Sequence, residues 1–468
     1  MAKPTIFIIF LVVALPCLAM ASFEQDAFRF LQFSQGEAAS TGPQQSSMSL
    51  TITTRAGVVG NDRLGRYVVL LHAEEVSVAE LEHLSRACGG MVILYNEEGK
   101  GSEEWMAAQQ WLLTHAVPVP VYFVHSNERW EGIARDLDKL ARSKMQAIDQ
   151  FWPLQNSYHL EIAAPAPKLV DELHLPSVQS FLAGSGSNPS TIIITAHVDT
   201  FSSAPATSFG VNDNGSGVMA LLELARLFSK LYEEESTRGE NNILFLVTSG
   251  GRLNHAGVKH WLSKLDVVET DRIEYALNLD AIGESDLYLH VTRSAKNDRV
   301  EQLYNIISET ASTMNIPYDV VQKKINLKDD NVYWGHEQFA RKKVVSGTIS
   351  SLPVGKSFLD RANVYDNKKQ FSETTFRRNV ELLRVSLLRH VYNLKGSEQL
   401  PVLSSDYSVS PNMLHAWVEY FSSHARMDGF DNHEASFMDP VRVALEEICG
   451  DAELQDAVIK TKGVYRWR

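Results

Sequence analysis

The sequence predicts an α/β protein built from two successive series of short buried strands alternating with amphipathic helices. Three observations carry this. Apolar runs of about five residues, too short to span a membrane, recur along the chain. The stretches between them repeat apolar residues at helical spacing. Only 3 cysteines stand in 468 residues, so the fold must rest on a core and not on a disulfide framework. Hydrophobic residues make up 44% of the chain and charged ones 22%, a mix that supplies a large core. The formal net charge of −13 argues against nucleic acid or an anionic membrane surface as a general partner, because both are engaged through a basic face.

The first residues read as a secretory signal. Lys3 precedes the apolar run Thr5-Ile-Phe-Ile-Ile-Phe-Leu-Val-Val-Ala-Leu15, then come Pro16 and the small-residue pattern Ala19-Met20-Ala21, which sets cleavage before Ser22. As an uncleaved anchor the run falls short of the roughly 20 residues that a span needs, and Pro16 interrupts it. No second apolar stretch of spanning length follows.

Residues 22–150 are expected to form an N-terminal α/β lobe with a connecting helix: strand 67–71, helix 77–87, strand 91–95, helix 103–115, strand 117–124, then a long charged helix over 130–151. That helix spaces Ile133, Leu137, Leu140 and Met145 to lie on a neighbouring layer. The core is expected over 151–395. It contains strand 158–163, a Gly/Ser/Pro-bearing separator at 182–190, strands 191–196, 243–248 and 274–281, and helices 218–232, 255–265, 300–314 and 379–394. Residues 396–468 read as an acidic C-terminal segment with helical pieces at 413–422 and 439–448. After signal removal Cys88 and Cys449 could form at most one bridge.

Groups capable of chemistry collect at strand ends. His197 and Asp199 lie in Thr195-Ala-His-Val-Asp-Thr200, Asp213 in Gly210-Val-Asn-Asp-Asn-Gly-Ser-Gly217, and Asp280 in Leu277-Asn-Leu-Asp-Ala-Ile-Gly283. Open parallel sheets bind ligands at the carboxyl ends of their strands, and histidine with carboxylates is a zinc-ligand set. Asn214 and Ser216 could equally cap the helix that follows. The joint pattern favours a site.

Five runs carry a family resemblance: Ile193-Ile-Thr-Ala-His-Val-Asp199, Asn212-Asp-Asn-Gly-Ser-Gly-Val-Met-Ala-Leu-Leu-Glu-Leu-Ala-Arg-Leu-Phe-Ser229, Ser249-Gly-Gly-Arg-Leu-Asn254, Lys324-Ile-Asn-Leu327 and Trp334-Gly-His-Glu-Gln-Phe-Ala340. The chain resembles the di-zinc aminopeptidase-like family and, within it, the inactive nicastrin/nicalin branch. The resemblance implies an aminopeptidase-like α/β/α sandwich with a mixed central sheet, plus a smaller N-terminal α/β lobe. It matches His197 to a zinc-binding histidine, Asp199 to the carboxylate that orients it, Asp213 to the bridging aspartate and Asp280 to an outer ligand. Active members carry adjacent glutamates after the next strand, one the general base and one a ligand; here those positions read Gly251 and Arg252. The last ligand, a histidine four residues before Asp366, reads Ala362.

Glycine cannot accept a proton, and general base catalysis typically supplies roughly 10²–10⁴-fold. Arginine cannot be deprotonated to become a ligand. The sequence therefore implies no catalytic residue and no metal, with His197, Asp213 and Asp280 as vestigial ligand positions, Asp199 behind them, and the Arg252 guanidinium pairing Asp213 and Asp280 in the metal's place. His255 and His260 lie in a helical segment and read as surface or packed histidines; His336 reads as a hydrogen-bonded core histidine. Asn214-Gly215-Ser216 is the only Asn-X-Ser/Thr sequon with X other than Pro, which makes Asn214 a glycosylation candidate.

The resemblance also implies a role: a non-catalytic luminal subunit of an endoplasmic reticulum membrane complex, associated with the translocon and multi-pass membrane protein biogenesis and restraining Nodal signalling. Its implied partners are a Nodal modulator-like protein, a small multi-spanning membrane protein and the translocon. The branch ends in a membrane-spanning helix, whereas this sequence closes on Tyr465-Arg-Trp-Arg468. Either that helix lies outside the sequence or attachment depends on partners. The alternative is a zinc-dependent exopeptidase, or a related zinc acyl-transfer enzyme, using His197, Asp213 and Asp280 with unconventional partners. A third reading is a binding domain whose vestigial pocket holds a peptide end.

Overall fold

The computed structural model describes residues 5–11, 22–30, 47–58, 64–99, 101–144, 157–163, 168–293, 298–329, 331–394, 407–427 and 437–466. These residues form two eight-stranded sheets. The first contains β1 (Thr5–Leu11), β2 (Ser22–Asp26), β3 (Phe28–Arg29), β4 (Met48–Thr54), β5 (Tyr67–His72), β6 (Gly90–Tyr95), β7 (Val121–His125) and β8 (Ser157–Ile162). Its order is β2-β1-β8-β4-β5-β6-β7-β3, with β4 to β7 parallel. Alternate residues of the central strands face opposite layers. Val69, Leu71, Ile93 and Phe123 pack with α2 (Val78–Ala87) and α3 (Glu103–Thr114), which follow a short helix α1 (Arg55–Val58). Val68, Leu70, Val92 and Tyr122 pack with Trp130, Ile133 and Leu137 of α4 (Glu128–Lys144). Burial on both faces explains why these parallel strands are apolar throughout.

Two expectations for this lobe shift. The helix expected to run through 130–151 has its described part in α4, whose apolar stripe is spent on the first sheet, making it a layer of that lobe. The strand at 158–163, assigned from the sequence to the core, pairs antiparallel with β4 and so belongs to the first sheet. In the uncleaved chain Thr5–Leu11, inside the expected signal segment, pairs as β1 with β2 and β8, as its Ile/Phe-rich run favours.

The second sheet contains β9 (Lys168–Leu182), β10 (Thr191–His197), β11 (Asn242–Thr248), β12 (Ile273–Asp280), β13 (Leu287–Val291), β14 (Tyr318–Gln322), β15 (Ser346–Ser350) and β16 (Glu453–Arg466). The order is β14-β13-β15-β12-β10-β11-β9-β16. Strands β15, β12, β10 and β11 are parallel, while β9, β13 and β16 run antiparallel to their neighbours β11, β15 and β9. The sheet is mixed, as expected.

One helical layer consists of α5 (Gly217–Glu233), α8 (Asp298–Thr313), α10 (Glu373–Val391), α11 (Pro411–Ser423) and α12 (Met438–Cys449), joined in the main apolar core. On the opposite face, Val258, Trp261 and Leu262 of α6 (Ala256–Lys264) and Phe339 of α9 (Gly335–Arg341) cover Ile193, Leu246 and Ala276. A short α7 (Val267–Asp271) links α6 to β12. The expected acidic C-terminal segment is in fact part of this sandwich: α11 and α12 bury the outer side of α5, and β16 extends the sheet. Cys88 and Cys449 are both free thiols, the first buried in the N-terminal lobe core and the second on α12 of the sandwich. No helix among the described residues is long and apolar enough to cross a membrane.

Candidate functional site

Strands β10 and β12 are adjacent and parallel, so their last residues, His197 and Asp280, emerge side by side. Asp213 arrives from the loop that leads into α5. That loop opens at Gly210, whose φ of 53° favours glycine and where a Cβ would sit 2.2 Å from Thr200 Oγ1. Three side chains hold it. Arg426, from the C-terminal segment, donates from Nε to the Val198 carbonyl at 2.9 Å and from Nη2 to the Gly210 carbonyl at 2.6 Å. The Asp366 carboxylate accepts from the backbone N–H of Asn212 at 2.8 Å and of Asp213 at 2.7 Å. The Asn214 amide donates to the carbonyls of His197 and Leu279, each at 3.0 Å, and accepts from the Ala281 N–H at 2.8 Å. The result gathers one ligand-type atom from each of His197, Asp213 and Asp280 within 4.8 Å of one another.

Sequence reasoning misses the group that binds these carboxylates together. Arg361 donates from Nε to Asp213 Oδ2 at 2.8 Å, from Nη1 to Asp280 Oδ2 at 3.1 Å, and from Nη2 to Oδ1 of both. Its side chain is 3% exposed, Asp280's 0% and Asp213's 16%. Arg252, expected to pair with both aspartates, reaches only Asp213, through Nη2. The four charges balance. Burial alone would raise the Asp280 pKa, but the Arg361 guanidinium holds it well below the usual carboxylate range. Burial opposes the charge on Arg361, yet Asp213 and Asp280 together raise its pKa further. Burial also keeps His197 neutral, its pKa far below the ordinary imidazole value.

The residues present do not fit a zinc centre. His197 has a buried Nε2 without a hydrogen-bond partner, but every oxygen of the two aspartates already accepts from a guanidinium. A divalent ion would have to displace Arg361. The lost positions are closed as well. A Cβ at Gly251 would lie 2.2 Å from the His197 ring. Ala362 is fully buried in the apolar cluster shared with the N-terminal lobe, its carbonyl accepting from Gln109.

Asp199 does not orient His197 as expected. Its two oxygens accept from the backbone N–H of Gly251 at 2.8 Å and of Arg252 at 2.9 Å, so it clamps the loop that delivers Arg252. Burial raises its pKa against the pull of those N–H groups. His255 packs edge-on to His197 at 5.3 Å, and burial pushes its pKa down to about 4. The half-buried His260 has an Nε2 without a partner. His336 shares a 2.8 Å hydrogen bond with Thr348 Oγ1, and burial lowers its pKa to about 3, so it is the core histidine that the sequence implies. The Asn214 candidate meets a steric obstacle: its amide is fully buried and engaged on both sides, leaving no space for a sugar in this fold. Beside Arg252 and Arg361 a cleft with an enclosed volume of about 50 Å³ opens to solvent.

The fold is that of the aminopeptidase-like proteins: residues 181–383 match the model of Peptidase family M28. The crystal structure of the gamma-secretase component Nicastrin shares the fold, with a TM-score of 0.63 at 12% identity over 96% of this chain and 86% of that one. Along most of its length the chain is similar to nicalins. Nicalin of Caenorhabditis elegans is 27% identical over 351 residues, covering 68% of this chain and 62% of that protein. The BOS complex subunit ncln of Danio rerio is 27% identical over 489 residues, covering 96% and 84% respectively.

Proposed function

We propose that this chain is a non-catalytic subunit of a membrane complex of the BOS type, whose name its relatives carry. It faces the lumen of the endoplasmic reticulum after removal of residues 1–21, and it works with the translocon in multi-pass membrane protein biogenesis and restrains Nodal signalling. Its partners are a Nodal modulator-like protein and a small multi-spanning membrane protein. The observation that carries the non-catalytic part is the Arg361 guanidinium lodged between Asp213 and Asp280. It neutralises the pair without a metal, and with Gly251 at the general-base position nothing is left there to take a proton from water.

Affinity purification of a tagged full-length clone from detergent-solubilised membranes tests the assembly. Co-purification of multi-spanning membrane proteins with translocon subunits is the expected result; recovery of the chain alone would overturn it. The convergence of His197, Asp213 and Asp280 favours the second reading, a zinc exopeptidase or acyl-transfer enzyme. That reading requires zinc-dependent turnover of aminoacyl substrates that His197→Ala abolishes.

A further inference from the structure

The cleft beside the two arginines is narrow and open to solvent, with an enclosed volume of about 50 Å³, room for a group of a few atoms and not for a whole small molecule. Its lining contains three cations, Arg252, Lys356 and Arg361, and no carboxylate. Arg361 is saturated by Asp213 and Asp280. Arg252 is not. Among the described residues only Nη2 of its side chain meets an acceptor, although the residue is 7% exposed, so the other guanidinium N–H groups are left for an occupant of the cleft. Lys356 is exposed and forms no ion pair among the described residues. Glu284 feels its charge without bridging to it, and both Asp360 oxygens are already taken, by Gln110 and Ser357. Lys323 stands 5.4 Å over the ring of Tyr333, a lining residue, and its charge acts on Glu337. Among the lining residues the arginines are balanced by Asp213 and Asp280, which leaves Lys356 as the remaining cation of the wall. Val332 and Phe358 supply an apolar wall.

We propose that this cleft binds a peptide by its terminal carboxylate, with Arg252 and Lys356 as donors and the last side chain against Val332 and Phe358. The donor set decides the polarity of the ligand. Charge-assisted N–H···O bonds to an oxyanion are the strong kind, whereas an ammonium end would meet like charge and find both aspartates already occupied. The apolar wall favours a peptide terminus over a bare anion. The proposal stands on the cleft alone, so failure of the complex to assemble would leave it in place.

The test is fluorescence anisotropy on the purified full chain, using an N-terminally fluorescein-labelled hexapeptide that ends in leucine with a free carboxylate, its C-terminal amide twin, and inorganic phosphate as competitor. The expected result is binding of the acid, at least about tenfold weaker binding of the amide (a factor worth ~1.4 kcal/mol), and a similar loss with Lys356→Glu while thermal unfolding stays unchanged. Arg252→Lys, which keeps the charge and loses the fork, should weaken binding to a smaller degree. Equal binding of acid and amide, no binding at all, or indifference to Lys356→Glu would overturn the proposal. Displacement by phosphate at the peptide's own affinity would overturn its peptide part, since the cleft would then bind any oxyanion.

Discussion

Replacing Arg361 by leucine removes the side chain that touches both the buried Asp280 and the partly exposed Asp213. The variant loses four donor contacts and leaves Asp280, whose side chain is 0% exposed, without its ion-pair partner. Removing one member of a buried pair typically costs about 3–5 kcal/mol, because the other charge stays desolvated. Set against a total stability of roughly 5–15 kcal/mol, that is a large share. Urea unfolding followed at pH 7 and pH 5 measures it. With Arg361 present, the folded-state pKa of Asp280 lies below its ordinary value, so its contribution is complete throughout this interval and is lost only at far lower pH. In the variant, burial without a partner raises that pKa. The folded state then takes up a proton first, and the deficit narrows from pH 7 to pH 5. A loss under about 1 kcal/mol, the worth of an exposed pair, or a deficit that does not shrink at pH 5, would refute the reasoning.

Further outcomes follow from the same geometry. Gly251→Ala should cost about 1–3 kcal/mol by thermal unfolding, the range for overpacking, since its Cβ would strike the His197 ring. Gly251→Glu should restore no turnover of a fluorogenic leucine substrate, and measurable hydrolysis would contradict the closed site. Asn214→Ala strands the Ala281 N–H together with two carbonyls; at about 1–3 kcal/mol per buried unpaired group, chemical denaturation should register at least one such loss. The intact mass of the protein secreted from eukaryotic cells should show no glycan at Asn214. The ring signals of His255 and His336 in proton NMR should stay in place from pH 7.5 to 5, because burial lowers their pKa values to about 4 and about 3. The unfolded chain protonates both near 6.5, so each subtracts stability as pH falls from there toward its folded value; titration of either ring near 6.5 would show that it is not buried.

The parallel strands β10 and β11 were legible because burial on both faces gives them the apolar runs 192–194 and 243–247, and α5 because its length and apolar breadth leave little choice of structure. Strand β15 was not: Ser346-Gly-Thr-Ile-Ser350 is buried throughout yet offers one apolar side chain, its place being set by hydrogen bonding between β12 and β13. In β9, Pro176 reads as a strand breaker, but its carbonyl still accepts from Ser249 N–H. Strand β16 is rich in polar residues and mostly exposed over 453–460, and its only sheet partner among the described residues is β9, more than 200 positions earlier in the chain.

The site divides in the same way. His197, Asp213 and Asp280 stood out through their strand-end positions, and Gly251, Arg252 and Ala362 by departing from a family pattern. Arg361 belongs to no such pattern. Its signal was electrostatic: two buried carboxylates facing one cation need a second, and an arginine stands next to the vanished ligand at Ala362. Asp199 was misassigned because sequence spacing cannot tell a carboxylate that faces a histidine ring from one that faces the N–H groups of a loop 50 residues away.

The central claim is that guanidinium groups have taken the place of the metal. Equilibrium dialysis of the purified chain against micromolar zinc, with the bound metal counted by mass spectrometry, tests it most directly. The account predicts far less than one zinc per chain, unchanged by His197→Ala. One or two tightly held equivalents that disappear in His197→Ala would contradict it.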